Sequence, residues 1–308
     1  MSEAAALPRV AVLIVTRDRK RDLLETMTAV EGLDYQADHL HVSVLDNGSE
    51  DDTERAVQAW VRAGGGRRLA GVQCVRSPQN IGASAARNLL ARRAPPSTDV
   101  FFVLDDDALP APDFLRRALS TLGDDAAVGV VGGRIVAFDE PARELAGAGF
   151  IDWRLGRFRE VPAATTCACD FVVTCAMLVR PQAWAAAGGF DEDYFVYHED
   201  VDFCVRAGRR GFRVLYEPTA VARHKVPAGK TRTPERLYYI LRNKFLFLRK
   251  HLPARRHPLA WAAYGTGLIP LMVLQSLVVN RGFSPAEVRT ILIAGRDGWR
   301  GTTGRWRR

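Results

Sequence analysis

The sequence has no G-x-G-x-x-G after its first apolar run and no G-x-x-x-x-G-K-[ST] anywhere. The backbone loops that cradle phosphate in dinucleotide-binding and P-loop proteins are therefore absent. Cysteine is scarce: Cys74, Cys167, Cys169, Cys175 and Cys204 are odd in number and lack C-x-x-C spacing. That excludes a disulfide scaffold and a zinc ribbon, and reads as reduced thiols in a cytosolic protein. Residues 1–8 lack an apolar stretch behind a basic start, so no secretory signal is expected and the site should face the cytoplasm. Acids are scarce at the other end, where residues 254–308 hold nine arginines against Glu287 and Asp297, almost all of the net charge of +8. A near-neutral body with a basic tail predicts one anionic surface met by one segment, either a membrane face or nucleic acid. At 47% hydrophobic and 25% charged the chain is ordinary globular material, which excludes disorder.

What is present is most specific at Phe101-Phe102-Val103-Leu104-Asp105-Asp106-Asp107, an apolar run ending in three acids. Adjacent carboxylates repel and need a cation or strong donors to sit together. A divalent metal carrying a diphosphate meets that need, and hard oxygen ligands suit Mg²⁺ or Mn²⁺. The plain alternative is a solvated turn with an acidic cap.

Residues 10–16 form a β-branched apolar run, followed over 19–33 by apolar residues at helical spacing. The alternation recurs: strand 41–46, helix 52–63, strand 71–76, helix 84–94, strand 100–104, helix 112–122. It predicts a mainly parallel sheet covered by helices on both faces, with ligands at the carboxyl ends of the strands. Those ends carry Thr16-Arg17, Asp46-Asn47-Gly48-Ser49, Asn80-Ile81-Gly82-Ala83-Ser84 and the acidic triplet. Each alone is routine turn chemistry, but together they predict a nucleotide pocket. With no phosphate loop, a metal on the triplet and arginines such as Arg87 would supply the positive charge.

Farther on, 172–180 reads as a strand, 181–187 as a short helix with Pro181 at its first turn, and Gly188-Gly189 as its stop. An acidic aromatic loop, 190–195, leads to His198-Glu199-Asp200-Val201-Asp202, which opens a helix running to about Arg210. Acids in a first turn also serve as plain caps.

Taken together, these strings resemble the inverting family 2 glycosyltransferases of GT-A fold, particularly the bacterial rhamnosyl- and galactofuranosyltransferase-like group, over about residues 9–250. The carriers are Val15-Thr16-Arg17-Asp18-Arg19, Leu45-Asp46-Asn47-Gly48-Ser49, Asn80 through Asn88, Leu104-Asp105-Asp106-Asp107, and Gly188-Gly189-Phe190-Asp191-Glu192 through Asp202. The resemblance implies a Rossmann-like α/β GT-A domain over 1–253. Its nucleotide-binding half would be about 1–132 and its acceptor and catalytic half 133–253. It implies transfer of a sugar from a UDP- or dTDP-linked donor to a hydroxyl of a glycan, lipid-linked or small-molecule acceptor, with a divalent metal. Thr16, Arg17 and Asp46 would hold base and ribose with Asn80, Gly82 and Arg87 beside them, and Asp105 and Asp106 would lie nearest the nucleotide. Asp107, with Asp105 and His224, would hold Mg²⁺ or Mn²⁺. The base would come from the Glu199-Asp200 pair, with Asp200 favoured. Relatives often carry a Gly-Ala pair where this chain has Thr174-Cys175-Ala176, which puts Cys175 near the acceptor.

Residues 258–280 contain no Asp, Glu, Lys, Arg or His and are flanked by Arg255, Arg256, His257 and Arg281. The run is long enough to span a bilayer on hydropathy, but Gly265, Gly267, Pro270 and Gln275 interrupt it and the basic flanks are two-sided. A helix or kinked pair against the membrane interface is expected, with Trp261 and Tyr264 at headgroup level. A helix packed on the catalytic domain is the alternative. Ser284-Pro285-Ala286-Glu287 is a capping box for a further helix, after which Arg296–Arg308 with Trp299 and Trp306 offers cationic and aromatic contacts. The helical extension 254–308 is thus expected to hold the protein peripherally on the cytoplasmic face of the cell membrane. Nucleic acid ranks lower, since no RNA-reading motif accompanies the tail. Two rival functions stay open, a nucleotidyltransferase that makes a nucleotide sugar and a non-catalytic sugar-nucleotide-binding protein. The first would want a glycine-rich basic loop after the first strand, and the second has no need of a base.

Overall fold

In a computed structural model the described residues are 7–225, 233–279 and 285–306, without the side chains of 275–279. The first half alternates as its apolar periodicity predicts: β1 (Val10–Thr16), α1 (Lys20–Glu31), β2 (Leu40–Asn47), α2 (Thr53–Arg62), β3 (Gly71–Ser77), α3 (Ala83–Arg93), β4 (Val100–Asp105), a short β5 (Ala108–Pro110) and α4 (Phe114–Leu122). Then come β6 (Val128–Ala137), β7 (Glu144–Ala146), the hairpin β8 (Ala148–Asp152) and β9 (Arg157–Val161), β10 (Cys167–Ala168), β11 (Ala176–Val179), α5 (Pro181–Ala187), α6 (Glu199–Arg209) and β12 (Arg213–His224).

The central sheet runs β10-β12-β6-β11-β4-β1-β2-β3. Strands β4, β1, β2 and β3 are parallel, while β11 runs antiparallel to both β4 and β6. Both faces are covered, which is why the inner strands are apolar without alternation. Val10, Val12 and Ile14 of β1 join α1, α2 and α4 in one core, and Ala11 and Leu13 join α3, α5 and α6 in the other.

Two departures matter for the site. The long strands β6 and β12 were not assigned from periodicity, and β12 carries a register shift between Glu217 and Val221 that delivers His224 to the edge beside β5. Strand β11 begins at Ala176 instead of 172, because 172–175 turn before joining the ladder. Its register sets Ala176 against Leu104, so Cys175 stands opposite Asp105, whose N–H donates to the Cys175 carbonyl at 3.1 Å.

The C-terminal part is helical: α7 (Pro234–His251), α8 (His257–Ala263), a π-helical turn at Tyr264–Leu268, α9 (Ile269–Val279) and α10 (Pro285–Arg300). The π turn sits on Gly265 and Gly267, a usual kink chemistry. Among the described residues no helix is long and apolar enough to cross a membrane. The extension packs partly on α7: Ala260, Tyr264, Ile291 and Ala294 are buried with Tyr238, Leu241 and Phe245. Tyr264, expected at headgroup level, is instead inside, donating its hydroxyl to the Gly156 carbonyl at 3.3 Å. Trp306 is likewise turned inward and stacks on Tyr238 at 4.4 Å. Leu259, Leu271, Leu274, Leu292 and Trp299 remain exposed. Helix α10 starts at Pro285 as the capping box predicts; Ser284 lies outside the described residues.

Candidate active site

A parallel sheet leaves its carboxyl ends facing one crevice. Beyond β1, β2 and β3 a cavity of about 760 Å³ is lined by Arg17, Gly48, Ser49, Asp51, Arg76, Gln79, Asn80 and Arg305, among others. Thr16 and Asp46, at the carboxyl ends of β1 and β2, are buried. Asp46 accepts the Ser49 N–H at 2.8 Å through Oδ1, while its Oδ2 is buried without a hydrogen bond and 3.9 Å from Arg76 Nε. An acceptor left without a donor in a crevice is a place where a ligand hydroxyl or N–H fits. Asn47 braces the wall, donating to Asn80 Oδ1 at 3.1 Å and accepting from the Ile81 N–H at 2.9 Å. Gly82 turns away from the cavity: its φ is +88°, and a Cβ there would lie 2.7 Å from the Phe195 carbonyl oxygen. This close approach lets the Ala83 N–H donate to the same carbonyl at 2.7 Å, docking the 190–198 loop on the start of α3.

The acidic triplet is divided among three environments. Asp107 accepts from Arg19 Nη1 at 2.6 Å and pairs with His224 Nε2 at 2.9 Å. Burial would push its carboxyl up, but the hydrogen bond and charge of His224, with those of Arg19, outweigh burial and hold it below its ordinary range. His224 in turn is raised, because its bond to Asp107 overcomes burial. Asp106 points into the fold, and burial with the charge of Asp107 pushes it to about 7. Asp105 is bound by Arg87 Nη2 at 2.8 Å, and Arg87 Nη1 reaches Glu199 Oε1 at 2.6 Å. Arg87 is buried, and two carboxylates take up its guanidinium.

Helix α6 brings its first-turn acids to this spot and gives them different work. Glu199 is buried and committed to Arg87. Asp202 points into the core, where His251 Nε2 at 2.7 Å, Lys250 at 2.8 Å and Arg206 at 2.7 Å surround it and tie α6 to α7. Asp200, between them, has no cation of its own among the described residues, and burial together with the charge of Glu199 raises it to about 7. A carboxyl poised there can exchange a proton near neutral pH.

His224 pairs with Asp107, and ligand atoms of Asp105 and Cys175 lie within 4.8 Å of one of its own; carboxylate oxygens with an imidazole suit a divalent cation. Arg19, which periodicity placed only at the start of a helix, is the cation that now neutralises Asp107. Arg76 and Arg305 were also not singled out as site residues. Arg76 ends a strand like the others, and that position was a usable signal. Arg305 lies about 230 residues from Arg76 in sequence, and only the fold shows it at the cavity. It is brought there by a strap: the buried Arg242 donates to the carbonyls of Thr302 at 3.0 Å and Gly304 at 3.1 Å, and the Gly304 N–H donates to the Asp193 carbonyl at 2.8 Å.

A family model described as glycosyltransferase like family 2 matches residues 8–245. The pre-mycofactocin glycosyltransferase of Mycobacterium tuberculosis is 31% identical over 217 residues, 70% of this chain and 42% of that protein. The N-acetylglucosaminyl-diphospho-decaprenol L-rhamnosyltransferase of the same organism is 37% identical over 109 residues, 34% of this chain and 36% of that protein. The chain thus spans less than half the length of these curated relatives. Among solved structures, the mannosyltransferase PcManGT from Pyrobaculum calidifontis, in complex with GDP-Man and Mn²⁺, superposes with a TM-score of 0.62 at 21% identity, covering 96% of this chain and 88% of that one. An S. aureus TarS fragment in complex with UDP-GlcNAc gives 0.61 at 15% identity, covering 96% and 81%. At such identities the likeness is one of fold, and the neighbours are GT-A glycosyltransferases.

Proposed function

The chain belongs to the glycosyltransferase-like family 2, and from that premise we propose that it is an inverting, metal-dependent glycosyltransferase. The donor is a nucleoside-diphosphate sugar, UDP- or dTDP-linked, and the acceptor a hydroxyl of a glycan or lipid-linked molecule. The observation that carries this reading is the tie of Asp105 at the end of β4 to Glu199 at the start of α6 through Arg87, and Asp200, the next residue of α6, supports the reading as the base. The base and ribose occupy the cavity over Thr16, Arg17 and Asp46, whose unpartnered Oδ2 accepts from the ligand. Arg17, Arg76 and Arg305 lend positive charge. Asp107 and His224, with Asp105, would hold Mg²⁺ or Mn²⁺, and such a cation would supply stabilisation for the charge growing on the leaving diphosphate. Asp200 takes the proton of the acceptor hydroxyl as its oxygen bonds the anomeric carbon from the face opposite the diphosphate. The carbon–phosphate oxygen bond breaks, and the nucleoside diphosphate leaves with the electron pair. Glu199 is held by Arg87 and so is not free to form a glycosyl intermediate, which supports a single displacement that inverts the anomeric centre.

The acceptor is best read as lipid-linked. The matched rhamnosyltransferase is named for a decaprenol-linked acceptor. On this chain the extension presents exposed Leu259, Leu271, Leu274, Leu292 and Trp299 and carries Arg255 and Arg256 ahead of α8. Exposed apolar side chains on a segment rich in arginine suit peripheral contact with the cytoplasmic membrane face. To test the reading, the protein is incubated with UDP- and dTDP-sugars and a bacterial lipid extract. Release of nucleoside diphosphate from one donor class, with inverted configuration in the product by NMR, is expected; a retained configuration contradicts it.

A further inference from the structure

Cys175 is a strand-end residue whose chemistry the transferase reading leaves unused. It is 5% exposed, and its Sγ makes no hydrogen bond among the described residues. Three separate elements bring it to the metal end. The turn before β11 sets it opposite Asp105 at the end of β4, and the bulged β12 ends on His224 beside β5. One ligand atom each from Asp105, Cys175 and His224 then lies within 4.8 Å of the other two. Bond lengths of about 2.0–2.3 Å for oxygen, nitrogen and sulfur around a tetrahedral cation require ligand atoms about 3.5 Å apart. Reaching that spacing from within 4.8 Å requires side-chain rotation on ion binding. His224 is already oriented by a carboxylate, Asp107 at 2.9 Å, the arrangement that holds imidazole ligands in metal sites.

Sulfur changes which cation fits. Carboxylate and water sets suit Mg²⁺ and Mn²⁺, whereas a thiolate beside an imidazole favours Zn²⁺, Co²⁺ and Cd²⁺. We propose that Asp105, Cys175 and His224 form a thiolate-containing cation site, so that this chain's metal end also takes a zinc-type ion, with Cys175 as the ligand that Mg²⁺ or Mn²⁺ does not use. The inference rests on reading the strand ends as the metal-holding end of the site, and needs no nucleotide or sugar to be tested.

The full-length protein, freed of metal, is titrated with Co²⁺ alone, followed by absorption and by calorimetry. An intense near-ultraviolet sulfur-to-cobalt band that saturates at one ion per chain is expected. Cys175→Ser should abolish the band and weaken Zn²⁺ binding at least about tenfold while leaving Mg²⁺ binding within about twofold. In the unmutated protein, Zn²⁺ should protect Cys175 from alkylation, read by peptide mass, which keeps the test open if the variant does not fold. Cobalt binding without the band, a band that survives Cys175→Ser, or unprotected Cys175 overturns the thiolate ligand and leaves the transferase reading standing. No cobalt binding at all overturns the proposal together with the metal end of the site, whereas failure of the transferase reading alone shows only in nucleotide binding.

Discussion

Arg87 ties Asp105 to Glu199, with Nη2 2.8 Å from one carboxylate and Nη1 2.6 Å from the other. One helix, α3, thereby fixes the end of β4 against the start of α6, the two elements that carry the proposed metal end and the proposed base. Arg87→Ala leaves Glu199 buried without its cation, and a loss of roughly 3–5 kcal/mol in urea unfolding is expected. Arg87→Lys should recover only part of it, since an ammonium cannot hold two carboxylates in the planar fork. Full stability in Arg87→Ala would contradict the strut.

Asp200 sits near pH 7 because burial and Glu199 oppose its charge. A base must be ionised, so turnover should rise with pH through about 7. Asp200→Asn should remove about 10²–10⁴-fold of turnover and flatten that limb, with nucleotide affinity kept. Unchanged turnover sinks the assignment.

Asp202 is fully buried, and although burial raises its pKa, the bonds from His251 and Lys250 and the charge of Arg206 bring it down to about 2. Its folded pKa lies below the unfolded one, so its contribution is fully present above about pH 4. That contribution is lost as pH falls from about 4 towards 2. Asp202→Asn should cost roughly 2 kcal/mol at pH 7 and little near pH 2, measured by thermal melts across that range.

Much of this was legible before the structure. Alternating apolar runs predict β1 to β4 and their helices because strands buried on both faces are uniformly apolar. The strand-end strings predict the crevice because connections in such sheets gather polar residues at one edge. What was not legible depends on pairings distant in sequence. Strand β11 inserts antiparallel between β4 and β6, a matter of register that no local pattern encodes. Arg87 matched the expected string, yet its engagement with Glu199 spans 112 residues. Tyr264 and Trp306 look amphipathic in sequence and are turned inward by α7, which periodicity did not assign.

Arg305 reaches the crevice on a strap held by Arg242 and by the Tyr238–Trp306 stack. Arg305→Ala should raise the Kd for a nucleoside diphosphate by roughly three- to tenfold at low salt, with the difference shrinking as salt is added. Trp306→Ala should do the same by releasing the strap. Equal affinities at low salt would remove the C-terminal segment from the donor site.

The central claim is that the strand-end crevice binds a nucleoside diphosphate with the help of a divalent cation. It is tested most directly by calorimetric titration of the folded full-length protein with UDP and with dTDP, each in Mn²⁺ and in EDTA. Binding of one nucleotide that is strong in Mn²⁺ and lost in EDTA is predicted. Absence of binding to either nucleotide in both conditions would contradict it.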